Sequence, residues 1–325
     1  MNRRVLLGTL SAALMTVAGA VAANAQSRYP SRPIRIILGF PAGTATDILA
    51  RIYADELSKK LDTPVVIENM AGAASNIGAA AAARAEPDGY TFFMATSANA
   101  TSISLYKNLR YDFRKDFEPI ALLASAPPVL SVSSESKIGS VKELIDVARS
   151  KPMEILFGSS GVGTAPHMSA ELLNMMADIR MTHVPYKGTN EAISDLLTGR
   201  LTALFSPLPT VSGLAGQGKL KIIATTNGRR LTLDPELPTV AEAGVPGFDT
   251  TLWFGLMAPR GTPPEIVKTV ADAAASIGQM DEVKERLKVA GGEPKIITGD
   301  AFKSFIENDI ETWAKVVKHT GLEPR

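Results

Sequence analysis

From residue 34 onward the chain repeats one pattern: a short apolar run, a loop of small residues, then a stretch with helical periodicity. Nothing else constrains the fold as strongly, because strands that alternate with helices join through crossover connections. The pattern predicts an α/β fold with largely parallel sheets. Ile34–Leu38 reads as the first strand. Ile48, Leu49, Ile52, Tyr53, Leu57 and Leu61 then mark an amphipathic helix of about four turns. Residues 65–67 and 90–95 read as the next strands, with an alanine-rich helix between them that ends near Arg84.

An extended, proline-interrupted segment at 119–132 suits a crossing between two lobes, and the alternation restarts after it. Ser140 and Glu143 form a capping-box pattern that opens a helix reaching Ser150. Residues 155–157 read as a strand, and the helix after Thr164 tolerates Pro166 in its first turn. Further strands fit Thr182–Pro185, 201–205 and 221–225, and the apolar run 251–258 suits a crossing back. From Pro264 the tail reads as helical, closing with 301–318. Two α/β lobes joined by two extended segments describe a hinge-closing binding protein. The expected division is lobe 1 over 26–125 plus 251–325, and lobe 2 over 126–250.

The first residues read differently. Arg3 and Arg4 precede an uncharged run from Val5 to Ala23, and Ala23-Asn24-Ala25 is a small-x-small cleavage pattern. Residues 1–25 therefore read as a secretory signal, with a general or a twin-arginine export route both open. Removing them takes away two arginines and no acids, leaving 32 basic and 33 acidic residues. Such balance gives no electrostatic footprint for nucleic acid or anionic membrane. With no cysteine in 325 residues, disulfides, thiolate metal sites and cysteine nucleophiles are excluded.

The loops carry the chemistry. F-P-A-G-T-A-T-D, residues 40–47, follows the first strand and places Thr44 and Asp47 at capping-box spacing before a helix. Small residues let a ligand approach the backbone, and free N–H groups at a helix N-terminus favour an anion. Ligands of open α/β sheets sit outside the carboxyl ends of strands. Loops of the same character recur at 71–78, at 97–102 beginning with Ser97, and at 158–164. Four such loops around one crevice suit a ligand with carboxylates at both ends.

Enzymatic readings fare poorly. G-S-S-G-V-G lacks the second glycine of a nucleophile elbow, because Val162 stands there. His167 and His183 read as packing or hydrogen-bonding residues, and His319 suits the end of the last helix. Three scattered histidines offer no metal-ligand spacing, and no phosphate-binding glycine motif follows a strand. No cofactor is expected.

Several stretches, taken in order, resemble one family. They are Y-P-S-R-P-I-R-I-I, F-P-A-G-x-x-T-D-I-L-A-R, V-I-E-N-x-x-G-A, A-E-P-D-G-Y-T, T-H-V-P-Y-K-G, L-P-T-V-A-E-A-G-V-P-G-F and W-F-G-L-M-A-P. The chain resembles the extracytoplasmic solute receptors of tripartite tricarboxylate transporters, the Bug or TctC-like family, from about Tyr29 to Trp313. The resemblance implies a two-lobed periplasmic binding protein, type II-like, that closes on a small carboxylate. It implies delivery to a membrane permease of one large and one small integral subunit, with a monomer as the default state. Carried onto this chain, the family's pocket falls on Phe40, Ala42, Gly43, Thr44, Thr46 and Asp47 in the first loop. The second loop adds Gly72, Ala73, Ser75 and Asn76. Lobe 2 adds Ser159, Ser160, Gly163 and Thr164, with Tyr186 and Ser206.

Asp47 is expected to organise the first loop rather than touch an anion, since two carboxylates at close range repel. The family commonly has a second glycine where Thr44 stands, so a positive φ there would strain this chain. Ser206 stands where relatives often have an acid. Citrate-like acids, C4 dicarboxylates, acidic amino acids and aromatic acids all fit the reading, with Phe40, Tyr186 and Trp253 available as flanks. Two other classes are a ligand sensor read by a membrane sensor kinase and a hydrolase built on Ser160.

Overall fold

The computed structural model describes residues 29–322 apart from 127, 187 and 233, so the expected signal at 1–25 lies outside the described residues. Two sheets organise the chain. The first has the order β11-β4-β10-β3-β1-β2 and the second β7-β6-β8-β5-β9. In the first, β1 (Ile34–Leu38) lies parallel to β2 (Val65–Asn69) and to β3 (Thr91–Thr96). In the second, β6 (Leu156–Ser159) lies parallel to β7 (Thr182–Pro185) and β8 (Ala203–Pro207).

The expected α/β fold with parallel-rich sheets holds, and antiparallel strands make both sheets mixed. β4 (Phe117–Ala126) and β10 (Leu252–Pro259) pair antiparallel, and β10 also runs antiparallel to β3. β5 (Pro128–Ser133) is antiparallel to both β8 and β9 (Leu220–Thr225). β1, β2, β3 and β4 thus share one direction in the first sheet, and β6, β7, β8 and β9 share one in the second. The chain leaves the first sheet after Ala126, enters the second at Pro128, leaves it after Thr225 and returns at Leu252. A strand that enters a sheet directly from its neighbour needs no helical crossover, so it is free to run antiparallel.

Helices cover the sheets. The first, α1 (Ala45–Lys60), buries Leu49, Ile52, Tyr53 and Leu57, and the Tyr53 hydroxyl donates to the Leu123 carbonyl at 2.7 Å. Ile48, read as part of the same apolar stripe, is instead 44 % exposed. α2 (Asn76–Ala82) is a short alanine-rich helix. Residues 97–102, expected as a loop, are helical: they belong to α3 (Ser97–Leu105), which starts directly at the end of β3. The helix start expected at Ser140 is present, with the Ser140 hydroxyl accepting from Glu143 N–H at the start of α4 (Val141–Ser150). The Glu143 carboxylate reaches back to Gly139 N–H rather than to that of Ser140, so the box is not reciprocal.

Then come α5 (Ala165–Ala177), α6 (Thr189–Leu197) and α7 (Leu208–Gly216), each following a strand of the second sheet. The tail holds α8 (Pro264–Gln279), α9 (Asp281–Val289) and α10 (Gly299–Thr320). It is not wholly helical: β11 (Glu293–Thr298) adds to the edge of the first sheet against β4. Pro294 fits an edge strand, which can spare an N–H. α10 packs on α3 beside the first sheet and on α5 beside the second.

Candidate functional site

The first loop is closed from behind. Gly43 takes φ +79, while Thr44 is extended at φ −75 and ψ 161 as the N-cap of α1. The strain expected at Thr44 therefore does not arise, because the left-handed residue is Gly43. The Thr44 hydroxyl accepts from Asp47 N–H at 3.3 Å and donates to the Pro41 carbonyl at 2.9 Å. The Asp47 carboxylate reaches back to Gly43 N–H at 3.0 Å, is gripped twice by Arg51 at 2.9 Å, and accepts from Asn69 Nδ2 at 2.9 Å. Asn69 also donates to the Phe40 carbonyl at 2.9 Å, so β2 holds the loop at a second point. Burial would raise the Asp47 carboxyl, but the bonds from Arg51, Gly43 and Asn69 outweigh it and hold it below its ordinary range.

The second loop packs beneath the first. Ala73, Ala74 and Ser75 are all left-handed, at φ 48, 52 and 77, and Gly72 is at φ 136. Ser75 is fully buried against Gly39, where a Cβ would meet the serine hydroxyl at 2.0 Å. Asn76 is tied to α3 and the chain beyond it: its Nδ2 donates to Ser102 at 3.0 Å and its Oδ1 accepts from the Tyr111 hydroxyl at 2.6 Å.

In the other half, Gly161 (φ +121) and Gly163 (φ +82) bend the loop between β6 and α5. Thr164, the N-cap of α5, donates to the Gly161 carbonyl at 2.7 Å. Ser159 is buried, accepts from Gly161 N–H at 3.1 Å and meets His183 Nε2 at 2.7 Å. Gly163 N–H donates to His167 Nδ1 at 3.1 Å. Tyr186 donates to Asp195 at 2.7 Å, and its phenol is pushed up to about 12 by burial first and the Asp195 carboxylate second. Ser206 is buried, and its hydroxyl has no hydrogen-bond partner among the described residues.

Between these halves lies a cleft of about 450 Å³. Five helices begin at its wall. α1 contributes Thr44, Ala45 and Thr46; α3 contributes Thr96 and Ala98; α5 contributes Thr164, Ala165 and Pro166. α6 brings Gly188, Thr189, Asn190 and Glu191, and α7 brings Pro207 and Thr210. First-turn amides have no intrahelical acceptor, and each helix start carries about half a positive charge. No Lys, Arg or His lines this cleft among the described residues, and its one ionisable side chain is the exposed Glu191. Phe40, Pro41 and Leu252 supply apolar surface. The arrangement can hold a small anion through backbone dipoles.

Of the residues read from sequence, Phe40, Gly43, Thr44, Thr46, Ser160 and Thr164 line the cleft. Ala42, Asp47, Gly72, Ala73, Ser75, Asn76, Ser97, Ser159, Gly163, Tyr186 and Ser206 lie outside its lining. The sequence reading missed Thr96 and Ala98, the start of α6, and Pro207, Thr210 and Leu252. Thr96 is fully buried as the N-cap of α3, and its N–H donates to Asn99 Oδ1 at 3.0 Å in a capping box. The strand-loop-helix rule applied to α6 and α7 would have found their starts. Neither histidine bonds Ser160: His167 Nδ1 takes Gly163 N–H and His183 takes Ser159. No group of three or more metal-ligating side chains occurs among the described residues.

Two mixed α/β sheets around a cleft lined by helix N-termini define a two-lobed solute-binding protein of the periplasmic type. Comparison with known proteins places it within that class. The "Tripartite tricarboxylate transporter family receptor" description matches residues 49–322, and the chain belongs to this family. BugT of Bordetella pertussis is 34% identical over 325 residues, covering 99% of each chain. Among solved structures, R. palustris Rpa4515 with adipate has a TM-score of 0.84 at 36% identity, covering 91% of this chain and 100% of that one. MatC from Rhodopseudomonas palustris with bound malate has a TM-score of 0.78 at 29% identity, covering 89% and 100%. The family is one of receptors, and this chain is a binding protein rather than an enzyme.

Proposed function

We propose that this receptor captures a small dicarboxylate in the cleft and hands it to a membrane permease of one large and one small integral subunit. The observation that carries the reading is the convergence of five helix N-termini on a cavity without a cationic side chain among its described lining. Such a site favours a compact anion and leaves its charge balanced by N–H groups rather than by a salt bridge. The helix starts of α1 and α3 take one carboxylate, and those of α5, α6 and α7 take the other. Charge-assisted hydrogen bonds contribute about 1.5–3 kcal/mol each. A handful, less the cost of association, gives about −8 kcal/mol and micromolar affinity.

Adipate and malate in the related structures are dicarboxylates of different length, which supports the class of ligand. In this reading residues 1–25 direct export to the periplasm. The lobes, 26–125 with 251–325 and 126–250, then rotate about 119–132 and 251–258 as the ligand enters. Thermal unfolding against adipate, malate, citrate, aspartate and phthalate tests the reading. A ligand at a hundred times its dissociation constant adds about 2.7 kcal/mol, or roughly 5–10 °C here. A rise with dicarboxylates, and none with the matching diamides, is expected; no rise with any acid would overturn it.

A further inference from the structure

Two histidines sit beneath the second-half binding loop, and neither lines the cleft. His167, on the first turn of α5, is fully buried. Its ring lies 4.0 Å from that of His183 on β7, and both flank Phe157 of β6. Each touches the loop at a different place. His167 Nδ1 accepts from the backbone of Gly163, and His183 Nε2 meets the hydroxyl of Ser159, which in turn accepts from the backbone of Gly161. Ser160 and Thr164, the cleft residues of this loop, lie between and beside these anchors.

The bond to Gly163 has a definite polarity. A backbone N–H only donates, so Nδ1 must present its lone pair, and in the neutral ring the proton sits on Nε2. Nε2 lies 3.5 Å from Glu171 Oε1, and Glu171 itself accepts from Asn174 at 3.1 Å. A side chain without an acceptor at this place would leave the buried Gly163 N–H unpaired. We propose that His167 and His183 are positioning residues for the binding loop, and that loss of the His167 acceptor releases Gly163 and weakens ligand capture.

The inference rests on the receptor reading for its ligand, and on the loop geometry alone for the positioning role.

Two measurements separate those supports. In ligand-free protein, hydrogen exchange of the Gly163 amide is compared by NMR in wild type, His167→Phe and His167→Asn. The amide should exchange faster in the Phe variant, which has no acceptor, and recover protection in the Asn variant, whose carbonyl can accept from Gly163. Adipate binding should weaken by about tenfold in the Phe variant, the loss expected of one hydrogen bond, and regain part of that loss in the Asn variant. A Gly163 amide equally protected in all three proteins, or an Asn variant that binds adipate no better than the Phe variant, would overturn the proposal. If adipate binds none of them, the ligand reading loses adipate while the amide exchange still decides the positioning role.

Discussion

The Asp47 carboxylate accepts the N–H of Gly43 at 3.0 Å, four residues back, while Arg51 holds both of its oxygens. The loop that borders an anion-favouring cleft is thus fastened by a negative charge placed outside the cleft lining. Placing that charge behind the loop removes the repulsion it would otherwise exert on a carboxylate.

Asp47→Ala should therefore damage loop order first and ligand contact second. The expected loss is about 1–3 kcal/mol of stability, the range for a hydrogen bond to a charged group. Ligand affinity should fall with it. Because the folded carboxyl lies below its ordinary range, the stability it supplies is present at neutral pH and is lost as acid protonates it. Urea unfolding of wild type and variant between neutral and acidic pH checks both points. A variant as stable as wild type at neutral pH, or equally far below it in acid, contradicts the role.

Gly43 gives a cleaner test of the backbone. At φ +79, no atom of a described residue beyond its two chain neighbours lies within 4 Å of where a Cβ would stand, so Gly43→Ala adds strain without a clash. The penalty should be about 1–2 kcal/mol, the cost of left-handed backbone for an L-residue. Thr44→Gly should lose only a few tenths of a kcal/mol, since glycine is itself a tolerable N-cap. Thermal unfolding should place the Gly43→Ala variant clearly below the Thr44→Gly variant. The reverse order would move the left-handed position to Thr44.

Thr96 is fully buried, caps α3 and borders the cleft. Replacing it with valine keeps the shape and removes only the hydroxyl. Thr96→Val should leave the melting temperature within a few degrees of wild type while weakening dicarboxylate binding by about tenfold, the equivalent of 1.4 kcal/mol. Calorimetric titration beside thermal unfolding separates the two effects. Unchanged affinity would remove Thr96 from the site.

Asp309 on α10 accepts from the indole of Trp253 on β10 at 2.8 Å. Burial pushes its carboxyl up to about 7, with the Trp253 bond pulling the other way. The folded chain therefore keeps a proton that the unfolded chain loses above its ordinary value of 3.8. By linkage, this residue's contribution to stability falls as pH rises from about 4 to 7. Asp309→Asn should flatten that part of the stability profile. Urea midpoints for wild type and variant across the window check it, and parallel profiles would contradict it.

Much of the architecture was legible because alternation survives in the sequence. Thr182–Pro185 and Ile34–Leu38 are bounded by turn residues, and Ser140 and Glu143 mark a helix start by the bonds they make. β11 was hidden because Glu293, Pro294 and Lys295 carry little strand signal, and its place depends on β4 far along the chain. Residues 97–102 looked like a loop because small polar residues suit turns; helix α3 forms there by packing against β10, α2 and α10. The same one-residue displacement explains Thr96: β3 runs one residue further than its apolar pattern, so the strand's last side chain, rather than Ser97, reaches the cleft. At 40–47 the site was readable, since a capping box after a strand is a local signal. The strand-loop-helix rule marks the starts of α6 and α7 locally, but only the pairing of β7 and β8 with β6 brings both to one cleft.

The central claim is that helix N-termini on both sides of the cleft hold the ligand. Amide NMR of the protein titrated with adipate or malate tests it most directly. The account predicts saturable shifts, with a single dissociation constant, at Ala45 and Thr46 of α1, Ala165 of α5 and Thr189 of α6. Shifts confined to one side of the cleft, or binding that leaves all four amides unmoved, would contradict it.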